Sequence, residues 1–383
     1  MDFELNETQR LIRDQAAEFA ARRIAPVARQ NDIEERFPAG IVREMGELGM
    51  FGGVIPEAYG GAGLDYLSYA ILCEEISKVC SSVRTVLSVQ MSLVATVILK
   101  WGTEEQKKKY LPGLCRAEWL GCFGLTEPDA GSDVQSIKTF AQKTSAGWRL
   151  TGRKIWISNG GVAQLSIVIA QTERENPRKM AAFLIETSAP GFSSRDIHGK
   201  LGIRASNTAE LILDGVEVPD SARLGEVGQG FQVAMSALDN GRYSVAAGCL
   251  GIAQGSLEAS VAYAKERRAF GKPIAAHQLV QDMIARMVVD VEAARLLLYR
   301  AGELKNQGRP NTLETCIAKY YCSEAAVRCA NNAIQVHGGM GYSNEYPVER
   351  FMRDARVATI YEGTSQIQKL IIGSYATGIR AFA

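Results

Sequence analysis

Between Leu11 and Ile24 the apolar residues Leu11, Ile12, Phe19 and Ile24 fall near one face of a helical repeat, and Pro26, lacking a backbone amide, predicts a stop. LSYAILCEEISKV (67–79) and LVATVILKWGTEEQKKKYL (93–111) continue the three- and four-residue spacing, with charges opposite. Near Gly121 the texture changes: apolar runs shorten, and Gly, Ser, Thr and Asp separate them as in strands joined by tight turns. LSIVIAQT (165–172) and MAAFLIET (180–187) have strand length, and AELILDGVEVP (209–219) holds an Asp214-Gly215 pair suited to a hairpin turn. From about Gly230 helical spacing returns, with Leu279, Met283, Met287, Val291 and Leu298 marking a stripe and a further helix expected between Leu313 and Val336. The order helical, β, helical predicts a mainly α protein with a central β domain.

At 383 residues the chain should form two or three domains of roughly 100–200 residues each. Apolar residues make up 46%, charged residues 22%, and the net charge is +1, so no global field recruits nucleic acid or anionic lipid. Neither partner is expected, and specificity must come from a local site. The eight cysteines, at 73, 80, 115, 122, 249, 316, 322 and 329, form no CxxC pair and read as buried free thiols of a reducing compartment. The amino terminus is polar and no apolar run approaches the ~18 residues of a membrane span, so a cytoplasmic protein is expected. YGGAGLDY (59–66) follows no strand and lacks GxGxxG spacing, which argues against a Rossmann unit. HExxH, a Walker lysine loop and GxSxG are absent, and with three histidines no metal site is predicted.

The stretch TIYEGTSQIQ (359–368) poses the functional question, because Glu362 stands between an apolar run and a Gly-Thr-Ser break ahead of the helical pattern SQIQKLIIGSYA. Its charge could favour the positive end of that helix, or it could be a catalytic base. Four stretches bear on the choice: GCFGLTEPDAGSD (121–133), KIWISNGG (154–161), ERRAFGKPIAAHQ (266–278) and VHGGMGYSNEYPVERFMRDARVATIYEGTSQIQ (336–368). With these motifs in this order the chain resembles the acyl-CoA dehydrogenase family, flavoproteins that oxidise an acyl thioester to its α,β-enoyl form. The likeness runs nearly end to end. It implies a helical domain at 1–119, a central β-barrel domain at 120–228 and a carboxy-terminal four-helix bundle at 229–383.

A flavin needs its pyrophosphate neutralised, its ring held by backbone and hydroxyl groups, and one face left open. Thr126 and Ser132 offer hydroxyls, Pro128 fixes their turn, and Trp156 and Ser158 offer a flat surface and a further hydroxyl. The resemblance implies FAD contacts at Phe123, Leu125, Thr126, Ser132, Trp156, Ile157 and Ser158, with Thr364, Ser365 and Gln366 completing the set. It further implies that Arg267, Gln278 and the QVHGG segment (Gln335, Val336, His337, Gly338, Gly339) reach the flavin of a neighbouring subunit, hence a homotetramer. In the family the glutamate of YEGT, here Glu362, removes the α-proton while the β-hydrogen leaves as hydride to flavin N5. The weakly acidic proton calls for a desolvated base and for hydrogen bonds on the thioester oxygen. Gly363 leaves space for the thioester, and in MSALDNGR (235–242) the likeness sets Asp239 and Arg242 along the substrate pocket, which Ser132 also lines.

SSVRTVLSVQMSL (81–93) is similar to the glutaryl-CoA dehydrogenase group, in which the arginine matching Arg84 holds the distal carboxylate, with Thr85 beside it where that group has serine. One departure is Ser77, where the group has a glutamate, which puts loss of carbon dioxide in question. A dicarboxylic acyl-CoA is the first expectation. A carrier-protein-bound acyl group or a short monocarboxylic acyl-CoA are the alternatives, and an electron-transfer flavoprotein is the acceptor the resemblance implies.

Overall fold

The computed structural model describes residues 4–176 and 178–381. Asn6 and Gln9 form a reciprocal cap at the start of helix α1 (Glu7–Phe19). A widened turn, Ala20–Ile24, leads directly into α2 (Ala25–Ile33). Pro26 therefore does not stop the helix. It sits at the second position of α2, directly after the widened turn, whose looser i→i+5 bonding accommodates the missing amide. Helices α3 (Ala39–Glu47), α4 (Tyr66–Val79) and α5 (Ser81–Ser88) follow, and a second widened turn, Val89–Ala95, joins α5 to α6 (Thr96–Trp101). The stretch 93–111 is not one helix: it breaks at Gly102, and Thr103 caps α7 (Glu104–Cys115) through its hydroxyl and Gln106.

An eight-stranded sheet follows, comprising β1 (Gly121–Gly124), β2 (Phe140–Lys143), β3 (Trp148–Ser158), β4 (Leu165–Gln171), β5 (Met180–Glu186), β6 (Phe192–Asp196), β7 (Thr208–Val218) and β8 (Arg223–Leu224). Its order is β6-β7-β3-β2-β4-β5-β8, with β1 parallel to β4. One face encloses Trp148, Leu150, Val168, Phe183 and Val216 as a core of its own. The Asp214-Gly215 pair forms no hairpin: β7 continues through it, and the register against β3 slips from Leu213↔Gly152 to Val216↔Leu150. Gly215, at φ 68°, is the left-handed residue of a bulge, the other use of an Asp-Gly pair.

The carboxy-terminal third is helical: α8 (Gly230–Glu266), α9 (Gln278–Asn306), α10 (Thr312–His337), α11 (Val348–Ala358) and α12 (Ser365–Thr377), with a small hairpin of β9 (Arg268–Ala269) and β10 (Lys272–Pro273) between α8 and α9. Met287, Val291 and Leu298 of the expected stripe are buried, whereas Leu279 is 81% exposed. Two helical stretches, Ser81–Trp101 and Gly230–Glu266, are long and apolar enough to cross a membrane, but 94% and 67% of their apolar windows lie inside the protein. Their apolarity belongs to the core. All eight cysteines are free and buried, and among the described residues no cluster of His, Cys, Asp and Glu could hold a metal.

The three parts lock at one corner. Arg353 of α11 pairs with Asp32 of α2 at 2.7 Å and donates to the Leu201 carbonyl, while Asp354 accepts from the Ile203 amide. Gly202 lies so close that a Cβ would stand 2.2 Å from the Arg353 carbonyl oxygen. We expect Gly202→Val to lower the thermal midpoint by several degrees, through separation of the sheet from α11 and a cost of order 1–3 kcal/mol. An unchanged melting curve would mean that the corner does not join the parts.

Candidate active site

Between the end of α11 and the Thr364 cap of α12 the chain makes a tight turn, in which Glu362 (φ 55°) and Gly363 (φ 83°) are consecutive left-handed residues. For a glutamate this conformation is strained, and it persists only where the surroundings hold it. Four side-chain bonds do so. The Glu362 carbonyl accepts from Arg242 Nε at 3.2 Å and Gln368 Nε2 at 3.1 Å, and the Gly363 carbonyl accepts from Lys319 Nζ at 2.7 Å and Gln368 Nε2 at 3.1 Å. Arg242 is itself held by Asp239 at 2.8 Å, and Asp239 by Thr312 at 3.1 Å.

This geometry bears on the helix-end reading of Glu362. The Glu362 side chain is aimed at α8, where any Cβ on Gly241 would stand 2.1 Å from Oε2, so glycine makes room for the carboxylate. Oε2 is buried without a hydrogen-bond partner. The cap of α12 is supplied by the Thr364 hydroxyl accepting from the Ile367 amide, not by Glu362. Burial raises the Glu362 carboxyl to a pKa of about 7, against the opposing pull of Arg242, Lys319 and Arg84. The Glu362 amide makes no hydrogen bond within the described chain, which leaves a free donor beside the carboxylate.

Arg84 approaches from α5 and is 1% exposed. Its Nη2 donates to the Tyr361 hydroxyl at 2.9 Å and its Nη1 to Ser88 at 3.2 Å, while Nε has no partner. Gly248 provides the space, since a Cβ there would lie 2.3 Å from Nε. Among the described residues no carboxylate pairs with it; Cys73, Cys249 and Tyr361, all neutral, surround it. Thr85 does not join Arg84, because its hydroxyl donates to the Ser81 carbonyl one turn earlier at 2.8 Å. Ser77 is buried, 3.0 Å from the Ser81 hydroxyl.

On the sheet, the register between β3 and β7 slips between Lys154 and Ile157. The bulge turns Trp156 into the left-handed region (φ 62°) and leaves its indole 59% exposed. The hydroxyls of Thr126, Ser132 and Ser158 have no partner within the described chain, so this surface offers a flat aromatic face and unpaired donors to a planar cofactor. Phe123, Leu125 and Ile157 are buried beside this surface. Beneath the bulge lies a pair that sequence reasoning missed. Lys154, wholly buried, meets Glu127 Oε1 at 2.7 Å and the Leu125 carbonyl at 3.0 Å, while the Ile155 amide donates to the Thr126 carbonyl at 2.9 Å. The pair ties the Thr126 loop to the Trp156 bulge. A lysine in an inward-facing strand position, following a Glu in the preceding motif, was the available signal.

The remaining expected residues stand elsewhere. Arg267 lies at the far end of α8, twenty-five residues and thus ~37 Å of helix from Arg242. Gln278 opens α9, and Gln335, Gly338 and Gly339 are exposed where α10 ends. Val336 and His337 are buried, His337 bonding to the Ala333 carbonyl at 2.8 Å and stacking on Tyr263 while its Nε2 has no partner. The Thr364 hydroxyl is spent on its cap and that of Ser365 on Glu324 at 2.6 Å; Gln366 is exposed. The Arg242 end of α8, with Glu362 against it, is thus separated from the Arg267 end, where Tyr263 stacks on His337 at the end of α10. Beside Asp239 a cavity of about 660 Å³ opens between α8 and residues 308–312, with Lys100, Lys305 and Arg309 in its lining.

Family models match along the chain: acyl-CoA dehydrogenase N-terminal domain at residues 6–118, middle domain at 122–216 and C-terminal domain at 228–376. The chain is 45% identical over 373 residues to a short-chain specific acyl-CoA dehydrogenase of Clostridium acetobutylicum, covering 97% of this chain and 98% of that one. It is also 45% identical over 386 residues to a glutaryl-CoA dehydrogenase of Desulfococcus multivorans, covering 99% of each. A solved glutaryl-CoA dehydrogenase in complex with glutaryl-CoA superposes with a TM-score of 0.97 at 44% identity, over 99% of this chain and 98% of that one.

The buried pair beneath Trp156 gives a direct test. Lys154→Met leaves Glu127 buried without its cation, and we expect a loss of about 3–5 kcal/mol in denaturant unfolding, partly restored by adding Glu127→Gln. Equal stability of the single and double variants would remove the pair from the account.

Proposed function

Because the chain belongs to the acyl-CoA dehydrogenase family, we propose that it oxidises the α,β-carbons of an acyl-CoA bearing a distal carboxylate, glutaryl-CoA or a close relative. The observation carrying the substrate is Arg84: a buried guanidinium with an unpartnered Nε, no acidic partner among the described residues, and a bond to the residue preceding Glu362. Burying an unpaired cation is costly, and a carboxylate delivered by the substrate relieves that cost with a charge-assisted contact.

FAD is the cofactor and, when bound, supplies the acceptor for the hydride that leaves the β-carbon. Thr126, Ser132, Ser158 and Trp156 are the residues that suit its ring. Glu362 takes the α-proton; its C–H electron pair becomes the α,β double bond as the β-hydride departs. A carboxyl raised to about 7 is a stronger base than an ordinary glutamate, so its ionised form is suited to so weak an acid. The free Glu362 amide supplies a donor where negative charge builds on the thioester oxygen. Asp239 joins the Arg242 support of the base to the open cavity, and Lys100, Lys305 and Arg309 there suit a phosphorylated carrier. Either coenzyme A or a carrier-protein phosphopantetheine fits that description.

The distance along α8 between Arg242 and Arg267 supports the assembly we propose, a homotetramer in which Arg267, Gln278, Gln335 and the Gly338-Gly339 backbone serve a neighbour's FAD. Electrons then pass to an electron-transfer flavoprotein. Eight buried free thiols suit a reducing compartment, the basis for proposing a cytoplasmic protein.

Three outcomes are expected. Glu362→Gln keeps its flavin but bleaches it at least 10²–10⁴-fold more slowly with thioester, the usual worth of a general base. Retained bleaching would acquit Glu362. Arg84→Ala lowers the preference for glutaryl-CoA over butyryl-CoA by roughly 10²-fold, measured as a ratio of kcat/KM values with product mass reporting whether carbon dioxide is lost. An unchanged ratio, or faster turnover of butyryl-CoA or a carrier-protein thioester in the parent, would redirect the substrate. Because the base acts ionised, bleaching by the parent protein should rise with pH through about 7. A rate flat from pH 5.5 to 8.5 would contradict the burial of the carboxylate.

A further inference from the structure

Lys319 has no exposed surface, sits on α10, and forms no ion pair with a carboxylate among the described residues. Its hydrogen-bond partner is the Gly363 carbonyl at 2.7 Å, on the turn that carries Glu362. Its charged and titratable neighbours are Glu362, Arg242 and Cys249 of α8, and Cys316 one turn earlier on α10. Burial pulls its ammonium down to a pKa of about 8. A methionine would fill the same apolar space between α8 and α10 without desolvating a charge, so packing alone does not account for an ammonium here. The turn it grips is left-handed at two successive residues, and the other holds on that turn, Arg242 and Gln368, reach it from α8 and α12. Lys319 is the hold from α10.

We propose that Lys319 is a positioning residue for proton abstraction: by donating to the Gly363 carbonyl it fixes the turn that presents the Glu362 carboxylate and amide together, and its charge favours the ionised base. This rests on Glu362 being the base. The groups facing that carboxylate are Arg242 from α8, Lys319 from α10, Arg84 from α5 and the adjoining Tyr361. Removing Lys319 therefore leaves two cations, and the carboxylate should ionise later, not sooner.

The test compares Lys319→Met, Lys319→Gln and Lys319→Arg with the parent as flavin-loaded proteins, by flavin content, KM and the pH dependence of flavin bleaching by glutaryl-CoA. For Lys319→Met we expect normal flavin content, little change in KM, bleaching about tenfold slower at pH 7 and a midpoint roughly one pH unit higher. Lys319→Gln, which keeps a donor for Gly363 at similar size, should recover the rate at high pH but keep the raised midpoint; Lys319→Arg should restore both in part. Parent-like rates and midpoints in the Met and Gln variants would overturn the proposal. Glu362→Gln runs alongside: if it still bleaches, the base assignment has failed, whereas a dead Glu362→Gln beside a parent-like Lys319→Met sinks only the role of Lys319.

Discussion

The site depends on one contact: the Glu362 carboxylate pressed against the backbone of α8 at Gly241. To reach that place the chain adopts two left-handed residues in succession, and the strain is offset by side chains that bond to the carbonyls and leave the carboxylate oxygens alone. An acid met by direct hydrogen bonds would have been held ionised and weakly basic; one gripped only through its backbone keeps a high proton affinity. The nearby cations then set how far burial can raise it. The same arrangement leaves the Glu362 amide free, so a buried carboxylate and an unpaired amide come from one residue, fixed by one turn.

Arg84 extends that logic to α5. Gly248 and Gly241, seven residues apart on α8, each give up a side chain so that a charged group can lie on the helix backbone. The glycines in VAAGCLGIAQG look in isolation like weak helix positions, yet Gly248, Gly251 and Gly255 are close approaches of Arg84, Ser77 and Lys78 to α8. Ser77 packs against α8 at Gly251 and shares a hydrogen bond with the Ser81 hydroxyl.

Much of this was legible in the sequence, and the limits have physical reasons. The helical, β, helical order followed from periodicity, because those elements bury regular faces. Pro26 and Asp214-Gly215 were misread for the same reason as each other: each has two structural uses, and the choice belongs to the neighbouring turn or strand. The motifs drew attention to Glu362, Arg84, Trp156 and Arg242. Lys319, Lys154 and Gln368 escaped because their partners are backbone carbonyls or an acid far away in the chain, contacts that leave no local pattern. Conversely, Thr85 and Thr364 commit their hydroxyls within their own helix or cap, and Ser365 donates across to Glu324 of α10. A hydroxyl's availability is decided by packing, which a motif does not encode.

Removal of the α-proton by Glu362 can be measured apart from hydride loss. A thioester analogue whose β-carbon has no hydrogen to lose would be held with the flavin-loaded protein in deuterated water, and the α-position followed by proton NMR. Exchange should grow through a pH of about 7 and disappear when Glu362 is replaced by glutamine. Exchange that proceeds equally in that variant, or that ignores pH across this range, would contradict it.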